Sequence, residues 1–151
     1  MPLITDILQR FAGCKVFSSL DLAKAYHQIP VAEDSIPKTA IITPFGLFEY
    51  LRMPFGLRNA SQTFQRHIDI ILSGLSNMAA YIDHIVIASP DETSHQQHLS
   101  DTLSRYNANH LKLKLTKCKV FQSSVEFLGH TVSQNGISPL PERIKAITNF
   151  P

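Results

Sequence analysis

Cysteine is scarce in this chain of 151 residues, since only Cys14 and Cys118 occur and they stand far apart. Two isolated thiols exclude a disulfide framework and a cysteine-based zinc pattern, and we expect both to be reduced in an intracellular compartment, cytoplasmic or nuclear. Long apolar runs are also lacking, so we expect no association with a membrane. Residues 1–20 carry no signal-peptide pattern.

Charge is sparse as well: charged residues make up 17% of the chain and the net charge is +2. A balance this small does not by itself indicate a nucleic-acid partner. The hydrophobic content of 44% is typical of a globular protein, and the length predicts one domain over residues 1–151. Four lysines nevertheless fall within eight residues, namely Lys112, Lys114, Lys117 and Lys119. They form either a solvated face or a surface that contacts phosphates.

The most informative stretch is Ala79–Ala88, an apolar and β-rich run with Asp83 and His84 at its centre. An unpaired carboxylate inside a buried strand would cost several kcal/mol, roughly. Either Asp83 and His84 form the turn of a hairpin with arms Asn77–Ile82 and Ile85–Ser89, or Asp83 stays in a strand and projects into a polar site. Both alternatives hold the carboxylate rigidly, as sites that bind metal or do chemistry require. An ordinary polar turn is the third interpretation, although Asp-His lacks the usual turn residues.

The other segments predict a mixed order of strands and helices. The predicted elements are a strand at Lys15–Leu20 that leads to Asp21, helices from about Ala60 to Ser73 and from Pro90 to about Asn109, and short strands at Leu111–Leu115, Cys118–Phe121 and Val125–Leu128. Asn59 and Gln62 stand where a capping box would begin the first helix. His95 and His98 lie three residues apart, but no third ligand at a suitable spacing indicates zinc. This order predicts an α+β fold, with an antiparallel sheet on one side and helices on the other.

Short blocks with distinctive residue combinations follow one another along almost the whole chain. They are Phe17-Ser18-Ser19-Leu20-Asp21-Leu22, Ala25-Tyr26-His27-Gln28-Ile29, Thr43-Pro44-Phe45-Gly46, Met53-Pro54-Phe55-Gly56-Leu57-Arg58-Asn59-Ala60, Thr63-Phe64-Gln65-Arg66, Tyr81-Ile82-Asp83 and Glu126-Phe127-Leu128-Gly129-His130. In this order they resemble the reverse transcriptases of gypsy-type LTR-retrotransposon Pol polyproteins. The resemblance implies a polymerase palm-like antiparallel sheet packed on helices with part of the fingers, a truncated reverse transcriptase fold from which the upstream fingers, the thumb and the RNase H domain are absent.

The resemblance further implies an RNA-directed DNA polymerase that works by two-metal nucleotidyl transfer, with two Mg²⁺ or Mn²⁺ ions as cofactors. The implied partners are an RNA or DNA template-primer, dNTPs and, for a fragment, the rest of a Pol polyprotein. By position, the resemblance assigns catalysis to Asp21, Asp83 and Lys117, metal binding to Asp21, the Leu22 carbonyl and Asp83, nucleotide binding to Tyr26, Phe55 and Gly56, and the primer grip to Phe127, Leu128 and Gly129.

His84 departs from this pattern, because the family block carries a second aspartate at that position. Two carboxylates instead of three then face ions with four positive charges in total, and imidazole suits zinc, copper or iron better than magnesium. We therefore expect a reduced or lost polymerase activity, since each tenfold loss of rate corresponds to about 1.4 kcal/mol. The alternative is a catalytically inactive remnant or a co-opted module that binds nucleic acid or another protein.

Overall fold

A computed structural model of the chain describes residues 4–148, which contain four α-helices and nine strands. The helices are α1 (Ile4–Arg10), α2 (Ala60–Ile71), α3 (Glu92–Ala108) and α4 (Pro141–Thr148). The strands are β1 (Val16–Asp21), β2 (Ile41–Thr43), β3 (Gly46–Phe48), β4 (Met78–Tyr81), β5 (His84–Ser89), β6 (Lys119–Gln122), β7 (Ser124–Phe127), β8 (His130–Ser133) and β9 (Gly136–Pro139). Three 3₁₀ helices cover Ala25–Gln28, Glu33–Thr39 and Leu115–Lys117.

The strands form three antiparallel groups. The central sheet has the order β4-β5-β1-β6, β2 and β3 form a separate hairpin, and β7, β8 and β9 form a second sheet. Helices lie beside the central sheet, as the predicted α+β arrangement requires. None of the helices in the described part of the chain combines the length and hydrophobicity of a membrane span.

Both faces of the central sheet are covered, which explains why the sequence of β5 is apolar without interruption. Successive side chains of a strand point to opposite faces. Ile85 and Ile87 belong to the core that contains the buried residues of α2, whereas Val86 and Ala88 belong to the core formed with α1 and the β7–β9 sheet. All four side chains have an exposed fraction of 0%. The hairpin that β4 and β5 form is therefore packed against a core on each face.

The predicted hairpin is confirmed, but its turn lies one residue earlier than predicted. β4 ends at Tyr81 and β5 begins at His84, so the two turn residues are Ile82 and Asp83. His84 is already a strand residue and pairs with Tyr81 on one side and with Asp21 on the other. The turn was predicted one residue too late because Ile82, its first residue, has a left-handed backbone with φ +54°. A β-branched residue rarely adopts this conformation, so the sequence did not indicate a turn at Ile82.

Two further predictions of local structure are wrong. The capping box does not form, since the Asn59 side chain makes no hydrogen bond to the start of α2. Leu111–Leu115 is no strand: Leu113 makes an isolated bridge with Leu22, and a 3₁₀ helix begins at Leu115. In the second segment, hydrogen bonds between Lys112 and the distant Ala23 and Gln28 replace the pairing of a strand.

Helix α3 contacts the sheet through a polar network. The buried His95 side chain places Nε2 2.6 Å from Ser18 Oγ on β1 and Nδ1 2.8 Å from Ser89 Oγ on β5. Ser89 Oγ also lies 2.8 Å from Nδ1 of His98, and Ser18 Oγ accepts a hydrogen bond from the backbone N–H of Phe121. Because Ser18, Ser89 and His95 are fully buried, their hydrogen bonds satisfy groups that water cannot reach, and the network joins α3 to β1 and β5.

This network predicts that the protein loses stability in acid. Burial lowers the pKa of His95, the nearby His98 lowers it further, and burial also lowers the pKa of His84. The unfolded chain therefore binds more protons than the folded chain just below pH 6.5, so the free energy of unfolding decreases as the pH falls through this range, by up to about 1.4 kcal/mol per pH unit for each imidazole. Urea denaturation between pH 7.5 and pH 5 measures the effect.

Two histidine variants test the assignment of this pH dependence. The variant His95→Gln keeps a polar side chain that does not titrate, so it should show a smaller decrease. The variant His110→Asn removes an exposed imidazole and should behave like the unmodified chain. An unchanged pH dependence in His95→Gln would contradict the role of the buried network.

Tyr106 on α3 provides a second prediction about stability. Its side chain is 2% exposed, its hydroxyl has no hydrogen-bond partner in the described structure, and burial raises its pKa far above the ordinary value. An unpaired buried hydroxyl costs about 1–3 kcal/mol. We expect Tyr106→Phe to raise the free energy of unfolding by about 1 kcal/mol and the melting temperature by about 2–4 °C. Tyr26→Phe is the control, because the Tyr26 hydroxyl has a partner in Ser61 and its removal should bring no gain.

Candidate active site

Two aspartates from distant parts of the sequence meet at one end of the central sheet. Asp21 is the last residue of β1, and Asp83 lies in the turn between β4 and β5. The backbone N–H of Leu22 donates to the carbonyl of Asp83 over 2.9 Å, which fixes the end of β1 against this turn. Both aspartates line one pocket of about 400 Å³, referred to below as the carboxylate pocket. The predicted pair of metal ligands is thus brought together.

The turn that presents Asp83 is strained and is held by a side chain from α2. A left-handed backbone at Ile82 costs roughly 1–3 kcal/mol. Gln65 Oε1 accepts a hydrogen bond of 2.7 Å from the N–H of Ile82, while its Nε2 donates to Asp69 Oδ1 over 2.9 Å and to the carbonyl of Ala80 over 3.3 Å. Gln65 is therefore a positioning residue for the turn. Gln65 belongs to the block Thr63-Phe64-Gln65-Arg66, but the resemblance assigned no role to it.

Aromatic side chains form the wall of the carboxylate pocket beside the 3₁₀ helix Ala25–Gln28. The Tyr26 ring contacts Phe55 and Phe64 edge-on, at centroid distances of 5.4 and 5.7 Å, and its hydroxyl shares a hydrogen bond of 2.8 Å with Ser61. Tyr26 and Phe55 both line the pocket, and Phe55 is 69% exposed, so its ring is available to a ligand. Gly56 has φ +90° in the adjacent loop and does not line the pocket.

Three lysines complete the carboxylate pocket: Lys24, Lys114 and Lys117. The backbone N–H of Lys114 donates to the carbonyl of Asp21 over 2.8 Å, so the lysine-rich segment is attached to the end of β1. Two members of the predicted lysine cluster thus face a candidate site for phosphates. Lys24 had no predicted role; its position three residues after Asp21, before a helical turn, is the signal that could have indicated it.

His84 lies beside the carboxylate pocket without lining it. Its Nε2 is 2.7 Å from Ser19 Oγ, and its ring contacts Phe127 edge-on at 5.3 Å. Burial lowers the pKa of His84, although the neighbouring Asp21 and Asp83 act in the opposite direction. With its pKa lowered, the imidazole is mostly uncharged at neutral pH and contacts Ser19 and Phe127.

The residues assigned to the primer grip lie next to this histidine, at the turn between β7 and β8. Phe127 is 2% exposed and contacts His84 as described above. Leu128 and Gly129 form the turn with φ +51° and +74°. The β7–β8 turn is thus placed beside the β4–β5 turn, and contact with a primer remains a prediction for these three residues.

The donor set of the carboxylate pocket suits a hard divalent cation. Within the described residues, no group of three or more His, Cys, Asp and Glu side chains comes together. Asp21 and Asp83 supply carboxylate oxygens, and Mg²⁺ is commonly held by one or two carboxylates while waters and substrate phosphates complete its shell. The residues present therefore fit such an ion, with less negative charge than three carboxylates would supply.

Comparison with known proteins identifies relatives over the entire chain. The family model described as reverse transcriptase (RNA-dependent DNA polymerase) matches residues 2–132. The retrovirus-related Pol polyprotein from transposon 297 of Drosophila melanogaster is 43% identical over 100% of this chain, and the one from transposon gypsy of the same species is 38% identical over 100%. The chain spans 14% and 15% of the lengths of these two polyproteins.

Solved structures show the same architecture. The foamy viral protease-reverse transcriptase in complex with double-stranded DNA matches with a TM-score of 0.89 and 22% identity, over 100% of this chain and 27% of that one. The same viral protein in complex with an RNA/DNA hybrid matches with a TM-score of 0.85 and 23% identity, over 96% of this chain and 20% of that one. This likeness concerns the fold, and it confirms the predicted palm-like sheet packed on helices.

Proposed function

Because the chain belongs to the reverse transcriptase (RNA-dependent DNA polymerase) family, we propose that it catalyses the addition of deoxynucleotides to a primer on an RNA template. It corresponds to the reverse transcriptase segment of retrotransposon Pol polyproteins, of which it spans a small part. One observation carries the proposal: Asp21 and Asp83 line the same pocket, together with Tyr26 and three lysines.

The residues of the carboxylate pocket have separate roles in the proposed reaction. Asp21, Asp83 and the Leu22 carbonyl would hold two Mg²⁺ or Mn²⁺ ions, which when bound activate the primer hydroxyl and stabilise the departing pyrophosphate. The primer hydroxyl releases its proton to solvent, its oxygen bonds to the α-phosphorus of the dNTP, and the bond from that phosphorus to the oxygen bridging to the β-phosphate breaks. Lys117 donates a proton to the pyrophosphate that leaves. The Tyr26 ring lies against the sugar and disfavours a 2′-hydroxyl.

The proposed partners follow from the same pocket and from the relatives. The foamy viral protein was solved with double-stranded DNA and with an RNA/DNA hybrid, so we propose that this chain binds a template-primer of the same kind. The positive side chains of Lys24, Lys114 and Lys117 support an interaction with the dNTP triphosphate. The unpaired Cys14 and Cys118 support an intracellular site of action.

The neutral imidazole of His84 favours a slow enzyme and also supports a second candidate function. A protein whose pocket holds two carboxylates instead of three can lose catalysis and still bind nucleic acid. The pocket would then still offer its lysines to phosphates, while the chemical step would be absent. The polymerase and the binding module predict different results for primer extension and for the binding of nucleic acid.

Primer extension tests the polymerase proposal. A DNA primer annealed to an RNA template is incubated with the chain, dNTPs and Mg²⁺ or Mn²⁺, and we expect slow extension that EDTA abolishes. Filter binding of the same duplex across a series of salt concentrations measures the interaction separately, because phosphate contacts weaken with salt. Salt-dependent binding without extension, by this chain and by His84→Asp alike, would favour the binding module over the enzyme.

A further inference from the structure

A second pocket shares Lys24 with the carboxylate pocket and is larger, at about 680 Å³. We call it the basic pocket, because six of its lining residues carry cationic or imidazole side chains: Lys24, His27, Arg52, His67, His110 and Lys112. Among the residues that the structure describes, no carboxylate lines it, although aspartate and glutamate together make up twelve residues of the chain. A concave surface with this composition attracts anions. The resemblance assigns no role to any of these six residues.

Backbone hydrogen bonds fix the walls of the basic pocket in place. The Lys112 N–H donates to Gln28 Oε1 over 2.8 Å, and the Lys112 carbonyl accepts from the N–H of Ala23 over 2.8 Å and from Gln28 Nε2 over 3.0 Å. On the other wall, Arg52 Nη1 donates to the Gln28 carbonyl over 3.0 Å. The backbone of Arg52 also pairs with Pro30 in an isolated antiparallel β-bridge. Gln28 thus connects the segments that carry Arg52 and Lys112, so the Arg52 guanidinium and the Lys112 backbone are positioned before a ligand arrives.

The cations of the basic pocket remain available to a ligand. Lys24, Arg52 and Lys112 are all exposed. Arg52 uses Nη1 for its hydrogen bond to Gln28, and a guanidinium offers five N–H donors in a planar fork that suits phosphate oxygens. Two lysines and one arginine around a pocket suit a ligand with several phosphate charges.

The two pockets share Lys24 but differ in their remaining charge: in the carboxylate pocket two aspartates offset Lys114 and Lys117, whereas the basic pocket keeps two uncompensated cations. Asp21 and Asp83 line the carboxylate pocket, and without a bound cation they repel a polyphosphate. The basic pocket offers Arg52 and Lys112 instead, with no opposing carboxylate. We propose that the basic pocket is a binding site for polyphosphate anions, either free inorganic pyrophosphate or the phosphate chain of a nucleotide. This site needs no metal ion and does not depend on polymerase activity.

Calorimetric titration of the full chain tests the proposal. Inorganic pyrophosphate is titrated in the presence of EDTA, and dATP and deoxyadenosine are titrated in parallel to separate the two possible sources of the phosphates. We expect pyrophosphate and dATP to bind and deoxyadenosine not to bind. The double variant Arg52→Gln/Lys112→Gln should weaken the binding of both by about tenfold or more, because it removes two charge-assisted contacts.

A matched control removes the same charge outside both pockets. The double variant Lys15→Gln/Lys119→Gln replaces two exposed lysines that line neither pocket, and it should bind pyrophosphate as tightly as the unmodified chain. An equal loss in both double variants would mean non-specific attraction and would overturn the proposal, as would the absence of binding.

Backbone amide NMR of the unmodified chain gives a test that needs no variant. Pyrophosphate in EDTA should shift the amide signals of residues that line the basic pocket, namely His27, Gln28, Asn109, His110 and Lys112. The amides of Ile82 and Asp83, in the turn of the carboxylate pocket, should stay in place. Shifts confined to Ile82 and Asp83 would contradict the proposed site.

Discussion

The variant His84→Asp is expected to extend a primer at least about tenfold faster than the unmodified chain, in the presence of Mg²⁺. The physical reason is the register of the central sheet: position 84 is the direct cross-strand partner of Asp21 and follows Asp83. A carboxylate there would lie about 5 Å from Asp21 between Cβ atoms, whereas the present imidazole is neutral, half-buried and hydrogen-bonded to Ser19. The measurement is the rate of single-nucleotide addition at saturating dNTP.

This substitution also has a readout that does not depend on activity. Three carboxylates close together repel one another, so the free energy of unfolding of His84→Asp should be lower than that of the unmodified chain in EDTA. Mg²⁺ should restore more of the stability in the variant than in the unmodified chain, because the added carboxylate strengthens cation binding. Equal rates for the two proteins would show that His84 does not limit the reaction.

The second large effect is expected from Asp21→Asn, made in the His84→Asp background where extension should be measurable. Asparagine has nearly the same shape as aspartate, and the Asp21 carbonyl that accepts from Lys114 is unaffected, so the fold should persist. The loss of one charged ligand should reduce the rate by about a hundredfold or more, which corresponds to roughly 2.7 kcal/mol. Primer extension measures this loss.

Mn²⁺ binding followed by electron paramagnetic resonance separates the loss of the ion from the loss of catalysis. Asp21→Asn should weaken Mn²⁺ binding, whereas Asp101→Asn, which removes the same charge from α3, should leave both binding and rate unchanged. Asp101 accepts a hydrogen bond from Gln97 on the same helix and has no part in the carboxylate pocket. Unaltered Mn²⁺ affinity in Asp21→Asn would refute the assignment of Asp21 as a ligand.

The sequence was sufficient to predict the elements that depend on local pattern. Phe64, Ile68 and Ile71 of α2 repeat at helical spacing and are buried, and the hairpin around Asp83 follows from two apolar arms that pack in the core. Helix α3 begins where Asp91 accepts from the N–H of Ser94, close to the start predicted at Pro90. In each case the residues that determine the element are neighbours in the chain.

The features that the sequence did not predict depend on distant contacts. Ile82 has an unfavourable backbone that Gln65, on another element, stabilises. The segment Leu111–Leu115 has the composition of a strand, yet Gln28 and Ala23 bind its backbone individually and leave it irregular. The basic pocket likewise combines Arg52 with Lys112, which no local pattern connects.

The position of β1 within the central sheet determines when the carboxylate pocket can form during synthesis. β1 is the first strand in the described part of the chain, but its two neighbours in the sheet are β5 and β6. Val16 pairs with Ser89 and Phe17 pairs with Gln122, so β1 can pair only after these later residues have been synthesised. Closing such long loops is slow and brings no stabilising contact until it is complete. Asp21 therefore stands on an unpaired strand until residues 84–89 have left the ribosome, and a nascent chain that ends before Asp83 contains one of the two proposed metal ligands without the other.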